Sequence, residues 1–173
     1  QEHLKSHQTS GLETDFAKDR RAEFRVLIID TCTPTPDQDA GSLTAFNFCL
    51  LFREMDFQVS FIPEDNFLYM PKYTTDLQRR GIEMLYAPFV TSVEQHLKES
   101  GSRYDLIFLI RPDVVSRHLG AVRQYCSKAK VLFDTADIHF LRMEREAALQ
   151  GNKKQNKDAA EMRELELEAI TNC

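Results

Sequence analysis

Polar residues at a few points of the chain directly follow apolar stretches and are of types that can do chemistry. Backbone amides in a loop before a helix bind anions, and an arginine binds a carboxylate or phosphate through two parallel hydrogen bonds. A histidine can donate a hydrogen bond to a sugar hydroxyl or a phosphate near neutral pH. The residues that fit these roles are Asp39, Gly41, Ser42, Arg111, Asp137 and His139.

The first three of these residues lie in a loop at positions 37–42. Gly41 permits a tight turn, and Ser42 is of a type that caps helices, so we expect it to cap the helix that follows. The loop lacks the GxGxxG pattern of dinucleotide-binding proteins and the lysine of a Walker phosphate loop, which disfavours both functions. Local sequence alone favours a simple turn before a capped helix. A phosphate-binding site in this loop is the alternative interpretation.

The other three candidates follow the fourth and fifth apolar segments. Arg111 can hold an anionic ligand, or it can form a structural ion pair with Asp113 or Asp134. For Asp137, a cap on the next helix is the simpler interpretation. For His139, a ligand contact and simple packing in the first helical turn are equally compatible with the sequence.

Two further chemistries use an aspartate after a first strand, and the sequence disfavours both. The sequence Asp30-Thr31-Cys32 suggests the DxD loop of haloacid-dehalogenase phosphatases. Cys32 replaces the second aspartate there, which removes the general acid and weakens any magnesium site. A receiver domain needs an acidic pair before the central aspartate and a lysine after the fifth strand, and this chain has neither. We therefore expect no metal in the site.

Five apolar segments predict β-strands, and amphipathic segments between them predict helices. This alternation predicts an α/β, Rossmann-like, doubly wound parallel sheet of about five strands with helices on both faces. The predicted strands are residues 24–29, 58–63, 82–86, 105–110 and 130–134. One predicted helix follows Ser42, and the others are residues 73–80, 92–99, 111–126, 137–150 and 158–170. Residues 152–157 are interpreted as a polar linker, and the charged run 161–168 as a solvated helix face.

The composition predicts a globular protein and excludes several functions. Of the 173 residues, 42% are hydrophobic and 10% are aromatic, which is enough for a core. The net charge of −5, with both signs spread along the chain, argues against a surface for nucleic acid or anionic membrane. The apolar runs fall far short of the ~20 residues of a transmembrane segment. The four cysteines show no CxxC spacing, so we expect a cytoplasmic location.

The chain divides into a terminal segment and one domain. Residues 1–22 are polar and lack apolar periodicity, which predicts a flexible N-terminal arm or linker. The remaining residues, 23–173, form one predicted domain. It ends on a predicted helix where another strand is expected, so we interpret it as one half of a larger fold.

Several segments, in this order and spacing, resemble the N-terminal domain of GT-B-fold glycosyltransferases of the group 1 kind, found in bacterial surface-polysaccharide synthesis. The matching segments are RVLIIDTCTPTPDQDAGSLTAFNFCLLF, VSFIPEDN, LQRRGIEMLYAPF, YDLIFLIRPDV and KVLFDTADIHFLRMEREAAL. The resemblance implies a Rossmann-like domain that binds a sugar or glycan acceptor and faces a second, donor-binding domain across a cleft. It implies a nucleotide-sugar donor as co-substrate, with no metal or other cofactor.

The resemblance also implies roles for single residues. The loop near the donor phosphates would be Asp39, Gly41 and Ser42. Arg111 would line the acceptor side, and His139 would be the catalytic residue beside the reacting sugar, with Asp137 orienting it. Nothing in the sequence matches the C-terminal donor domain, so we expect the chain alone to be inactive. A non-catalytic, Rossmann-like binding module is the alternative.

Overall fold

Five parallel strands form a sheet in the order β3-β2-β1-β4-β5. They are β1 (Phe24–Asp30), β2 (Phe57–Pro63), β3 (Glu83–Met84), β4 (Leu106–Leu109) and β5 (Lys130–Phe133). The structure is a computed structural model that describes residues 23–135, 137–150 and 153–173. The arm predicted for residues 1–22 lies outside the described residues.

Helices alternate with these strands along the chain. They are α1 (Ala40–Glu54), α2 (Pro71–Arg79), α3 (Val93–Ser100), α4 (Pro112–Tyr125), α5 (His139–Gln150) and α6 (Lys153–Asn172). Together with the parallel sheet, they confirm the predicted α/β, Rossmann-like fold. No helix within the described ranges combines the length and the apolar character needed to cross a membrane.

The core lies on both faces of the sheet because β1 is apolar in every central position. Successive strand residues point to opposite faces. Val26 and Ile28 are fully buried in a cluster with residues of α1 and α2, whereas Leu27 and Ile29 are fully buried with residues of α3, α4 and α6. Burial of each such side chain contributes about 1.5–3 kcal/mol, so β1 anchors the fold.

Two predictions about local structure were wrong. Most of the polar linker predicted at 152–157 is helical, because α6 already begins at Lys153. Its polar side chains suit a helix surface, and Lys157 pairs with Glu161 one turn later. The strand predicted at 82–86 is shorter than expected: Glu83 and Met84 pair with β2 at the edge of the sheet, and the Leu85 N–H donates one further bond to the Phe61 carbonyl.

The strand order reverses between β1 and β4, and this reversal positions the site. The chain moves outward from β1 to β2 and β3, then returns to the other side of β1 for β4 and β5. The loops after β1 and β4 therefore leave the same edge of the sheet toward opposite faces. Such a switch point opens a crevice at the carboxyl ends of the strands, where ligands bind in this class of fold.

Candidate functional site

A pocket of about 270 Å³ opens at this switch point. Its walls come from three segments, namely the start of α1, the end of β4 with the start of α4, and the segment that joins β5 to α5. The lining residues are Ala40, Gly41, Thr44, Ile110, Arg111, Asp134, Asp137 and His139. The structure thus brings together Gly41, Arg111, Asp137 and His139, four of the six residues singled out from the sequence.

The other two candidates, Asp39 and Ser42, do not line the pocket, and they shape the start of α1. Asp39 has extended backbone angles and is the N-cap of α1, with Oδ1 accepting a hydrogen bond of 2.7 Å from the backbone N–H of Ser42. Hydrogen bonds from Ser42 hold the pKa of Asp39 below its usual range. Ser42 is buried inside the first turn. The prediction that Ser42 caps α1 was therefore wrong, because Asp39 fills that role.

Arg111 reaches across the crevice from α4 to β1. Its Nε donates a hydrogen bond of 2.7 Å to Oδ1 of Asp30, a residue with only 1% of its surface exposed. Burial raises the pKa of Asp30, against the opposing effect of the Arg111 guanidinium. Arg111 thus forms a structural ion pair, but the predicted partners Asp113 and Asp134 were wrong, because the contact goes to Asp30.

The backbone of Arg111 is strained. Its φ of 79° and ψ of 140° lie in a region that residues with a side chain rarely adopt, which costs about 1–3 kcal/mol. This conformation directs the guanidinium back over the sheet edge toward α1. Arg111 Nη2 lies 3.6 Å from the position that a Cβ atom on Gly41 would occupy. Gly41 therefore keeps space open beside the cation.

His139 lies on the opposite wall and is held by a carboxylate from another helix. Glu166 of α6 accepts a hydrogen bond of 3.0 Å from Nδ1 of His139. The same carboxylate accepts bonds from the backbone N–H groups of His139 and Phe140, at 2.9 and 2.8 Å. Glu166 therefore caps α5, and the prediction that Asp137 does so was wrong. Asp137 is exposed, with Oδ2 3.8 Å from Nε2 of His139 and 3.5 Å from Nη2 of Arg142.

Sequence reasoning missed the roles of Asp30 and Glu166. The residue Asp30 was considered only for phosphatase and receiver chemistry. Glu166 was assigned to the solvated charged run, yet it is 2% exposed. A signal was present, because Glu166 lies four residues after Met162 and three before Ala169. It therefore falls on the inner face of α6.

The arrangement suits a ligand that carries both negative charge and hydroxyl groups. The Arg111 guanidinium and the positive end of the α1 dipole lie on one side, where they attract anions. The His139 ring lies on the other side, where it can exchange a hydrogen bond. Among the residues that the structure describes, no cluster of three or more His, Cys, Asp or Glu side chains is placed to hold a metal ion.

Comparisons of the chain with protein-family models, with curated proteins and with solved structures found no match. A fold of this class hosts many unrelated functions, so function has to be argued from the residues of the site.

Proposed function

We propose that this domain is the acceptor side of a nucleotide-sugar-dependent glycosyltransferase that acts in bacterial surface-polysaccharide or glycan synthesis. One observation carries the proposal. Gly41, Arg111 and His139, which the sequence resemblance assigns to the ligands, line the same pocket at the carboxyl edge of the sheet. Ligands of open parallel sheets bind at this edge.

The transfer reaction needs the two kinds of group that the pocket offers. An acceptor hydroxyl oxygen bonds to the anomeric carbon and gives its proton to the departing diphosphate or to solvent. The bond from that carbon to the diphosphate breaks, and the diphosphate keeps the electron pair. The start of α1 is suited to stabilise the departing negative charge. Arg111, which the resemblance places on the acceptor side, lies beside Gly41 and is suited to share that role. His139 is suited to hold a hydroxyl of the reacting sugar. This scheme requires neither a metal nor an organic cofactor.

The size of the pocket supports a site in which two domains each bind part of the ligands. Sites for whole ligands of drug size usually measure about 300–1,000 Å³, and this pocket measures about 270 Å³. It accommodates a sugar ring or a phosphate group better than an entire nucleotide sugar. We therefore propose that a second domain holds the nucleotide of the donor.

The four free cysteine thiols fit the proposed cytoplasmic location.

The test is donor turnover by the full-length gene product. The purified protein is incubated with a panel of nucleotide sugars, with and without glycan extracts, and nucleoside diphosphate release is measured. We expect release from at least one donor, and a fall of about 10²-fold or more in His139→Ala. His96→Ala is the matched control, because His96 bonds to Tyr104 before β4, at the opposite edge of the sheet.

Two outcomes would count against this proposal, the first against the enzyme and the second against its assigned site. If no donor is turned over but a sugar or sugar phosphate binds, the domain is the non-catalytic binding module. If turnover occurs and His139→Ala equals His96→Ala, the enzyme exists but the pocket at His139 is not its reaction site.

A further inference from the structure

Glu166 is a buried acid that does not line the candidate pocket but contacts His139, which does. It belongs to α6 and lies 27 residues after His139 in sequence. Its two oxygens accept hydrogen bonds from the backbone N–H groups of His139 and Phe140 and from Nδ1 of the His139 ring. The two backbone bonds fix the carboxylate in place, so the orientation of the ring follows from the packing of α6 against α5.

This contact determines which ring nitrogen of His139 carries hydrogen. A carboxylate has only acceptor atoms, so Nδ1 has to be the donor in a bond of 3.0 Å. In the neutral imidazole, the lone pair then lies on Nε2. Nε2 is the ring nitrogen that Glu166 does not contact, on a side chain that lines the pocket. It is 3.8 Å from Oδ2 of Asp137, which is too far for a hydrogen bond.

We infer that Glu166 is a positioning residue that fixes His139 in the tautomer with hydrogen on Nδ1, so that Nε2 accepts a hydrogen bond from a ligand hydroxyl. The identity of that ligand as a sugar rests on the glycosyltransferase function proposed above. This role reverses the expectation from the sequence, in which His139 donates a hydrogen bond.

The inferred tautomer divides the pocket between two kinds of ligand group. A lone pair on Nε2 repels the oxygens of a phosphate and attracts the hydrogen of a hydroxyl. Arg111, which has only donors, prefers the anionic group. A ligand that satisfies both walls therefore presents a hydroxyl to His139 and its negative charge to Arg111, with Gly41 leaving space beside the guanidinium.

The rival arrangement places hydrogen on Nε2 and directs it to Asp137. The geometry disfavours it, because the Asp137 side chain is exposed and also lies near Arg142, 3.5 Å from its Nη2. In the rival tautomer, Nδ1 would turn a lone pair toward the Glu166 carboxylate at 3.0 Å. Two acceptors at that distance repel each other.

The direct test is the tautomer of His139 in the 173-residue chain labelled with ¹⁵N-histidine. Long-range ¹H–¹⁵N correlation spectra at neutral pH distinguish the protonated ring nitrogen from the bare one, and loss of one set of peaks in His139→Gln assigns the ring. We expect wild type to carry hydrogen on Nδ1. In Glu166→Ala, Nδ1 loses its acceptor, and we expect the population to move toward the Nε2–H form that free histidine prefers. Glu168→Ala, an exposed site on the same helix, is the control and should match wild type.

An Nε2–H tautomer in wild type, or an unchanged tautomer in folded Glu166→Ala, would overturn the inference. The wild-type spectrum, once His139→Gln has assigned its peaks, does not depend on Glu166→Ala, so it decides even if that variant fails to fold. The measurement also needs no sugar donor. A protein with the inferred tautomer but no donor turnover would refute the glycosyltransferase and leave the positioning role intact, whereas the reverse result would refute only the positioning role.

Discussion

Oδ1 of Asp30 lies 2.7 Å from Nε of Arg111, although the two residues are 81 positions apart in sequence. The bond joins the end of the central strand to the start of α4 across the switch point. Asp30 is almost fully buried, whereas the Arg111 side chain is 32% exposed and lines the pocket. The buried end of the pair thus fixes the position of a cation that a ligand can still reach.

Asp30 predicts a specific dependence of stability on pH. Burial raises its pKa above the usual 3.8, and Arg111 only partly opposes this. The folded state therefore holds the proton more tightly than the unfolded state does. The stability from this group is fully present below the unfolded pKa and is lost as pH rises through the folded pKa. We expect the free energy of unfolding of wild type, relative to Asp30→Asn, to fall as pH rises from about 4 toward neutral.

Urea unfolding of both proteins across this pH range measures the difference directly. Asp76→Asn is the reference for removal of a solvent-facing carboxylate, because Asp76 pairs with Arg80 on the surface of α2. A difference between wild type and Asp30→Asn that stays constant or grows with pH would show that the pairing with Arg111 outweighs the burial.

Replacing Gly41 by alanine should lower activity while leaving the free energy of unfolding nearly unchanged. A Cβ atom there would lie 3.2 Å from Oδ1 of Asp39 and 3.6 Å from Nη2 of Arg111. In Gly41→Ala, the gain in helix propensity and the displaced cap oppose each other, so we expect a stability change within about 1 kcal/mol. The methyl group occupies the space beside Arg111, so we expect donor turnover by the full-length protein to fall about tenfold or more.

Gly120→Ala is the matched control for Gly41→Ala. Gly120 is exposed within α4, and apart from the adjacent residues and the nearby backbone of the helix, no atom lies within 4 Å of the position of an added Cβ. Its replacement should raise the free energy of unfolding by about 0.5–1 kcal/mol without changing turnover. Full activity in Gly41→Ala would mean that Gly41 serves only the turn.

Glu166 predicts a large stability loss at an acidic residue. In Glu166→Ala, the backbone N–H groups of His139 and Phe140 lose their acceptor at the start of α5. A lost helix cap costs about 0.5–2 kcal/mol and a buried unpaired donor about 1–3 kcal/mol, so we expect a loss of about 2–4 kcal/mol. Urea unfolding measures it, and the amide of Phe140 should exchange its hydrogen faster.

The exposed Glu168 provides the comparison for this loss. Glu168→Ala should change the free energy of unfolding by no more than about 0.5 kcal/mol. If the two alanine variants are equally stable, the bonds of Glu166 do not hold the two helices together in solution.

The fold was predictable because its determinants are local. The run Val26–Ile29 is apolar at each position, as a strand covered on both faces requires. The site was predictable in part, since Gly41, Arg111 and His139 follow the strands β1, β4 and β5, and a parallel sheet brings residues after its strands to one edge. The partners Asp30 and Glu166 were not predicted, because each is identified by a contact with a distant residue. Glu166 replaced the expected local cap Asp137 because the packing of α6 brings a buried carboxylate to the start of α5.

Arg111 predicts that the pocket binds a phosphate-bearing anion through the guanidinium, with inorganic pyrophosphate as the probe. Arg111→Met alone would leave the buried Asp30 carboxylate unpaired, so stability and binding would change together. The double variant Asp30→Asn, Arg111→Met removes both charges and should restore most of the stability lost in the single variant. A charged hydrogen bond contributes about 1.5–3 kcal/mol, and about 1.4 kcal/mol is a tenfold change in affinity. We therefore expect the double variant to bind pyrophosphate about 10–100-fold more weakly than Asp30→Asn does in titration calorimetry. Equal affinity in these two proteins would show that Arg111 serves only to neutralise Asp30, and the anion side of the pocket would have to be assigned to other residues.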